Sequence, residues 1–194
     1  MRRWLVLLLT TLTLCASCTS LGYKETAGAP VRRTLPPLPP VTTVSLPPRP
    51  SNIPLAGRNA CKILKQEQLS QLSLDRGPLP DAEKGFGNAP TCSYRNSVGR
   101  FGARLALVTV SGADVWLSEQ AGVEARAITV GGFGALTVTN PNQPDFCNVE
   151  VDVADGQFLD VLYRNDGNNP APSQETLCKG AQRVAESAMT SLKR

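Results

Sequence analysis

The chain has 194 residues, of which 41% are hydrophobic and 19% charged, and its formal net charge is +4. It contains no histidine, which excludes Ser-His and Cys-His nucleophile pairs and every histidine-containing metal site. The basic excess lies outside the predicted domain, because residues 56–194 carry 14 basic and 15 acidic residues. A domain without net positive charge is not expected to bind nucleic acid.

The first 17 residues have the three-part layout of a secretory signal. Residues 1–3 are basic, residues 4–14 form an uncharged apolar run, and two small residues, Ala16 and Ser17, precede Cys18. The run is too short to span a bilayer, which takes about 20 residues. We therefore predict a lipoprotein signal peptide over residues 1–17 and a lipid anchor at Cys18, on the outer face of the cytoplasmic membrane. Because Cys15 stands where lipoprotein signals have leucine, an ordinary cleaved signal without lipid is the alternative.

Residues 18–55 are predicted to form a disordered tether. Proline is dense from Pro30 to Pro54, and its fixed φ and missing N–H prevent both helix and central strand. An extended polyproline conformation of about 3.1 Å per residue remains. The segment's net charge of +3 suits an anionic membrane surface, but a basic spacer without such a role has the same composition. Residues 35–40 (LPPLPP) resemble an SH3-type ligand, although a spacer after an anchor is the commoner explanation.

Residues 56–194 are predicted to form a single α+β domain. An apolar face over residues 61–72 predicts a helix that ends at residues 77–80 (GPLP). Apolar runs then predict strands, and residues 114–120 a short helix. The predicted strands are residues 91–95, 105–110, 127–130, 135–138, 147–153 and 158–163. Ser173 can cap a long final helix whose apolar stripe must cover the sheet.

The last two strands form a predicted hairpin. Residues 147–153 alternate strictly, so Asn148, Glu150 and Asp152 are expected to face outward while the residues between them face the core. A three-residue loop with Gly156 left-handed would place Glu150 opposite Asp160, and would pair Val151 with Leu159 and Val149 with Val161. This register separates apolar from polar pairs better than a two-residue Asp-Gly turn. An antiparallel sheet packed against an N-terminal and a long C-terminal helix is the predicted architecture.

The predicted domain contains four cysteines: Cys61, Cys92, Cys147 and Cys178. In an exported chain four cysteines imply two disulfides, and three pairings are possible. A metal site is the competing interpretation, but the predicted domain has no Cys-x-x-Cys pair. Pairing Cys61 with Cys92 and Cys147 with Cys178 suits the predicted elements, because each bridge would join the first turn of a helix to a neighbouring strand.

These cysteines lie in four short motifs: ACKIL at residues 60–64, CSY at 92–94, CNVEVD at 147–152 and CKGAQRVA at 178–185. The motifs resemble those of actinobacterial lipoproteins catalogued as domain of unknown function 3558, in which they follow a lipobox and a Ser/Thr/Pro-rich tether. Two differences are the missing proline before Cys61 and the replacement of a tryptophan by Tyr94. The resemblance spans residues 60–192. It implies an exported location and the same disulfide pattern, and it carries no established activity.

Three groups of residues are candidate sites, each with a plainer interpretation. Asn148, Glu150, Asp152 and Asp160 could ligate Ca²⁺, but a solvated polar face predicts the same residues. Residues 131–134 (GGFG) could bind phosphate, but no Lys-Ser/Thr follows, and a bulge or tight bend is the simpler explanation. The aromatic rings of Tyr94 and Trp116 could stack on a sugar or could simply pack in the core.

We therefore assign no catalytic residue, cofactor or metal ligand. The expected function is that of a lipid-anchored surface lipoprotein with a non-catalytic domain that binds an envelope protein or small ligand. One alternative is an envelope enzyme that uses paired carboxylates such as Asp152 and Asp160. The other is a lipid or glycolipid carrier with a cavity between helices and sheet.

Overall fold

A computed structural model describes residues 45–194. The predicted signal peptide, the lipidation site Cys18 and the tether as far as residue 44 lie outside the described residues. Within the described range the chain forms one seven-stranded antiparallel sheet with helices on one face, which confirms the predicted α+β class. No helix among residues 45–194 is long and apolar enough to cross a membrane.

The sheet order is β1-β2-β3-β7-β6-β5-β4, and every neighbouring pair is antiparallel. The strands are β1 (Arg76–Glu83), β2 (Ala89–Asn96), β3 (Phe101–Val108), β4 (Glu124–Val130), β5 (Phe133–Asn140), β6 (Gln143–Ala154) and β7 (Gln157–Asn165). The helices are α1 (Gln66–Gln71) and α2 (Gln174–Leu192). Since β3 pairs with β7, strands from distant parts of the chain meet at the centre of the sheet.

Helix α2 packs on β6 and β7 and buries its apolar stripe there. Ser173 is its N-cap, and the serine hydroxyl accepts a hydrogen bond from the backbone N–H of Thr176 (3.2 Å), as predicted for a side-chain oxygen at this position. Inward residues of the six strands β2 to β7 complete one core on this face. We call this side of the sheet the helix face and the opposite side the open face.

The β6–β7 hairpin has the predicted register. Val149 lies opposite Val161, Glu150 opposite Asp160, and Val151 opposite Leu159, with an irregularity between Asp152 and Ala154. Gly156 has φ +64°, the left-handed conformation that the bulged turn requires.

Both predicted disulfides are present on the helix face. Cys61 is bonded to Cys92, and Cys147 to Cys178, each with Cα atoms 5.0 Å apart. The second bridge joins β6 to the first turns of α2, and the first joins β2 to the 3-10 turn Ala60–Lys62. Helix and strand are thereby held covalently in two places.

Three predicted elements differ from the structure. The helix expected over residues 61–72 is divided into the 3-10 turn Ala60–Lys62 and α1, which begins only after Lys65. The short helix expected at residues 114–120 is a pair of 3-10 turns, Ala113–Leu117 and Glu119–Ala121. The segment 77–80 lies in β1 rather than in a break, because β1 is an edge strand, where prolines need not donate to a second neighbour.

Residues 45–55, which the sequence analysis assigned to the tether, pack on the fold. Ile53 and Leu55 are buried, and the N–H of Ile53 donates to the carbonyl of Val153 (2.8 Å). The guanidinium of Arg49 binds the carboxylate of Asp152 (2.8 Å). The packed structure thus begins before the predicted boundary at residue 56, because apolar residues interrupt the proline run.

Candidate functional site

The polar residues predicted to share one sheet face do so, but most of them are not solvated. Glu150 and Asp160 are neighbours across β6 and β7 on the open face, with 0% and 1% of their surfaces exposed, and Asn148 is also buried. The 3-10 turn Ala113–Leu117 packs against β5 and β6. The expectation that Asn148 and Glu150 face solvent is therefore wrong: both are buried, although they lie on the face of the sheet opposite α2.

A hydrogen-bonded network holds Asp160. Its Oδ1 accepts from the amide of Asn148 (2.7 Å), and its Oδ2 accepts from Arg104 on β3 (2.8 Å). The same guanidinium binds the carboxylate of Glu83 at the end of β1. Burial lowers the pKa of Arg104, but the two carboxylates outweigh that effect and raise it above its ordinary value. Burial raises the pKa of Asp160, and Arg104 opposes that shift.

Glu150 has no comparable partner. Neither carboxylate oxygen has a hydrogen-bond partner among the described residues, and the nearby Asn148 amide donates to Asp160 instead. Burial first, and then repulsion from Asp160, raises the pKa of Glu150 well above 4.5. Of these two neighbouring buried carboxyls, Glu150 is the one whose neutral form is more strongly favoured, because Arg104 and Asn148 stabilise the charged form of Asp160.

The four oxygen-bearing residues do not form a cation site. Asp152 binds Arg49, and Asp160 binds Arg104 and Asn148. Among residues 45–194 no group of three or more potential metal-ligating acids and cysteines is present. The suggested pair of Asp152 and Asp160 is likewise not the close pair of this face, since the carboxyl opposite Asp160 belongs to Glu150.

A groove on the exposed part of the open face was missed by the sequence analysis. One cross-strand row runs through Arg76, Arg95, Gly102, Arg164 and Phe146, which are successive register partners on β1, β2, β3, β7 and β6. We call this row the arginine row. Its members are separated in the sequence by up to 88 positions, counting from Arg76 to Arg164, so only the strand order brings them together.

The groove has a volume of about 250 Å³ and combines guanidinium groups with apolar side chains. The second row, beside the arginine row, contributes Leu79, Ser93, Arg104 and Leu162. Arg104, in this second row, also binds the carboxylates of Asp160 and Glu83. The groove therefore adjoins the hydrogen-bonded network of Asp160.

Asp166 lies between the two central arginines. Its Oδ2 is 3.2 Å from Nε of Arg95, and its Oδ1 is 3.9 Å from Arg164. Gly102, between them on β3, has no side chain, and a β-carbon there would lie 2.8 Å from Nε of Arg164. The glycine thus leaves room for a guanidinium to lie across the strand.

The other candidate residues have structural roles. Gly131 and Gly132, with φ of +59° and +90°, form the two-residue turn between β4 and β5, which agrees with the tight bend rather than the phosphate loop. Tyr94 is buried in the core. Trp116 is half-buried and packs edge-to-face against Phe86, with ring centroids 5.8 Å apart.

The family described as "Protein of unknown function (DUF3558)" matches residues 13–191 of this chain. The chain belongs to this family. The DUF3558 match includes all seven strands and nearly all of α2. No curated protein and no solved structure matches the chain. The description of the family names no function, so only the geometry of the DUF3558 domain itself can support a functional proposal.

Proposed function

We propose that this protein is a lipid-anchored cell-surface lipoprotein whose folded domain binds an envelope partner or ligand without catalysis. Two disulfides in the described residues favour an oxidising compartment outside the cytoplasm. The apolar run, the small pair and Cys18 favour export followed by lipidation. The anchor would keep the domain at the outer face of the cytoplasmic membrane.

The observation that carries the binding role is the arginine-lined groove. Three arginines of its outer row lie on the open face beside exposed or half-buried apolar side chains, and Leu79 is 61% exposed. Concave sites that combine apolar walls with a few charged groups are typical of ligand binding. Arginine is also enriched in the residues that dominate binding energy at interfaces.

The two alternatives have less support. An enzyme that uses paired carboxylates needs them to reach a substrate, but Glu150 and Asp160 are buried. A lipid carrier needs a cavity between helix and sheet, whereas the apolar stripe of α2 is packed into the core of the helix face. Both observations favour ligand binding at the surface of the domain over catalysis or lipid storage in its interior.

The test is a pair of charge insertions at two exposed apolar residues. Leu79→Glu places a carboxylate inside the groove, whereas Val110→Glu places one beyond the end of β3, where 62% of the valine is exposed. Neither side chain belongs to the core, so both variants should fold. In intact cells, a photo-reactive group in the groove should crosslink an envelope component. We expect the yield of this product to be at least tenfold lower in Leu79→Glu than in the natural sequence.

Val110→Glu is the matched control and should retain the crosslinked product of the natural sequence. Thermal unfolding of both variants confirms that the fold is intact. Equal crosslinking by the two variants, or the absence of any crosslinked product in the natural sequence, would contradict the binding role of the groove.

A further inference from the structure

The groove has a local excess of positive charge. Arg104 is bound by two carboxylates, those of Asp160 and Glu83. Arg95 and Arg164 share the single carboxylate of Asp166, and Arg76 forms no ion pair within the described residues. The four arginines of the whole groove thus face three carboxylates, but the outer row by itself carries three guanidiniums against one carboxylate, a difference of +2. Residues 56–194 sum to −1.

Most N–H donors of Arg95 and Arg164 have no partner among the described residues. A guanidinium offers five N–H donors in a planar fork, and this fork matches the geometry of phosphate. Arg95 and Arg164 each contact only Asp166 among the charged residues of the described structure, and about half of each side chain is exposed. Their shared register partner is Gly102, so no side chain from β3 separates them.

The rest of the groove is apolar. Leu79, Leu162 and Phe146 line it beside the arginines, and each is at least partly accessible. A volume of about 250 Å³ accepts the end of one small molecule, since sites for whole drug-sized ligands are roughly 300–1,000 Å³.

We propose that the groove binds the phosphate end of an amphiphilic phosphate monoester, with the phosphate between Arg95 and Arg164 above Gly102 and the first carbons of the apolar part along Leu79 and Leu162. This inference rests on the proposed binding function and specifies its ligand. A phosphate monoester carries a charge of about −1.5 to −2 at neutral pH, which complements the net charge of the outer row. A single carboxylate supplies only half of that charge.

The experiment is calorimetric titration of the full chain in nanodiscs of neutral phosphatidylcholine, with the heat of empty nanodiscs subtracted. The probes are hexyl phosphate, inorganic phosphate, hexanoate and hexanol, at one ionic strength. We expect hexyl phosphate to bind at least tenfold more tightly than inorganic phosphate or hexanoate, and hexanol to give no binding heat. Equal affinity for hexyl and inorganic phosphate would overturn the role of the apolar wall.

Substitutions test the contribution of the arginines and that of the apolar wall separately. Arg95→Gln combined with Arg164→Gln should weaken hexyl phosphate binding at least tenfold, while Arg126→Gln, an exposed arginine on the edge strand β4, should leave it unchanged. Leu79→Ala should reduce the preference for hexyl phosphate over inorganic phosphate. Binding that is the same in the double variant and in Arg126→Gln would refute the proposal.

A last arm distinguishes the source of the ligand. If the bilayer itself supplies the ligand, nanodiscs that contain phosphatidic acid should lower the apparent affinity of the protein for hexyl phosphate. If the ligand is a separate molecule, this affinity should not change. Both results are consistent with a phosphate site in the groove. If Leu79→Glu abolishes crosslinking in cells but hexyl phosphate does not bind, the binding function survives and the ligand class is wrong.

Discussion

At the scale of single residues, the unusual feature is a buried carboxyl group without a hydrogen bond to any of residues 45–194. Asp160 is stabilised by Arg104 and Asn148, but Glu150 beside it has no partner of this kind in that range. A charged carboxylate in such a place is costly, and a neutral acid costs much less. The folded state therefore favours the protonated form of Glu150, whose pKa is raised.

We expect Glu150→Gln to make the stability of the domain less dependent on pH. Because the pKa of Glu150 is raised in the folded state, the folded protein keeps a proton that the unfolded chain releases above pH 4.5. The free energy of unfolding of the natural sequence must then decrease as pH rises from that value toward the folded pKa. Glutamine has no proton to release, so urea unfolding should show the variant to be more stable at pH 7.5 by about 1 kcal/mol or more.

At pH 4.5 and below, this advantage should disappear. The exposed Glu124 provides the control, since Glu124→Gln is expected to follow the pH dependence of the natural sequence. A pH profile for Glu150→Gln parallel to that of the natural sequence would show that Glu150 does not hold the proton.

At the scale of elements, the contact between α2 and β7 is unusually close. Gly180 faces the ring of Tyr163, and a β-carbon at Gly180 would overlap that ring. In a free helix, glycine is less favourable than alanine by about 1 kcal/mol. Here the glycine allows the helix to approach the sheet, so packing outweighs intrinsic helix propensity.

Gly180→Ala is therefore expected to destabilise the domain by about 1–3 kcal/mol, the usual cost of overpacking, although alanine is the better helix former. The measurement is chemical unfolding at constant pH. In a Tyr163→Leu background, the same alanine should cost less, and the double-mutant cycle gives the coupling. A stabilising effect of Gly180→Ala in the natural background would mean that α2 lies farther from β7.

At the scale of the whole molecule, two disulfides reinforce the packed core. Each disulfide joins cysteines 31 positions apart, and closing a loop of this length contributes roughly 3–4 kcal/mol in the chain-entropy model. Such links suit a domain that works outside the cell, where thiols do not stay reduced. The same compartment is implied by the proposed anchor at Cys18.

We expect Cys18→Ala to remove the protein from the membrane fraction. The substitution deletes the sulfur that would receive the diacylglycerol, and a chain with neither lipid nor a spanning segment has little hydrophobic affinity for a bilayer. Detergent-phase partitioning of the expressed protein measures this directly. The control is Cys15→Ala, which should partition as the natural sequence does. Recovery of Cys18→Ala in the detergent phase at the natural level would exclude lipidation at this residue.

Local patterns in the sequence determined much of the fold. The alternation over residues 147–153 and the turn glycine Gly156 were sufficient for the β6–β7 register, because a slip by one residue would turn every apolar side chain away from the core. The apolar stripe at helical spacing and the cap at Ser173 were sufficient to predict the last helix, α2. The bridge between Cys147 and Cys178 followed from these elements, since it joins β6 to α2. The bridge between Cys61 and Cys92 was also predicted, although Cys61 lies in a 3-10 turn rather than in the expected helix.

Only the tertiary structure decided what covers the open face and where the candidate groove lies. The alternation showed that Glu150 points away from α2, but not that the irregular turn Ala113–Leu117 packs against β5 and β6. The arginine row depends on the pairing of β3 with β7, in which even the partners nearest in the sequence, Val108 and Phe158, are 50 positions apart. Periodicity reports which side of one strand is apolar, whereas the identity of a strand's neighbours depends on long-range pairing that no local pattern encodes.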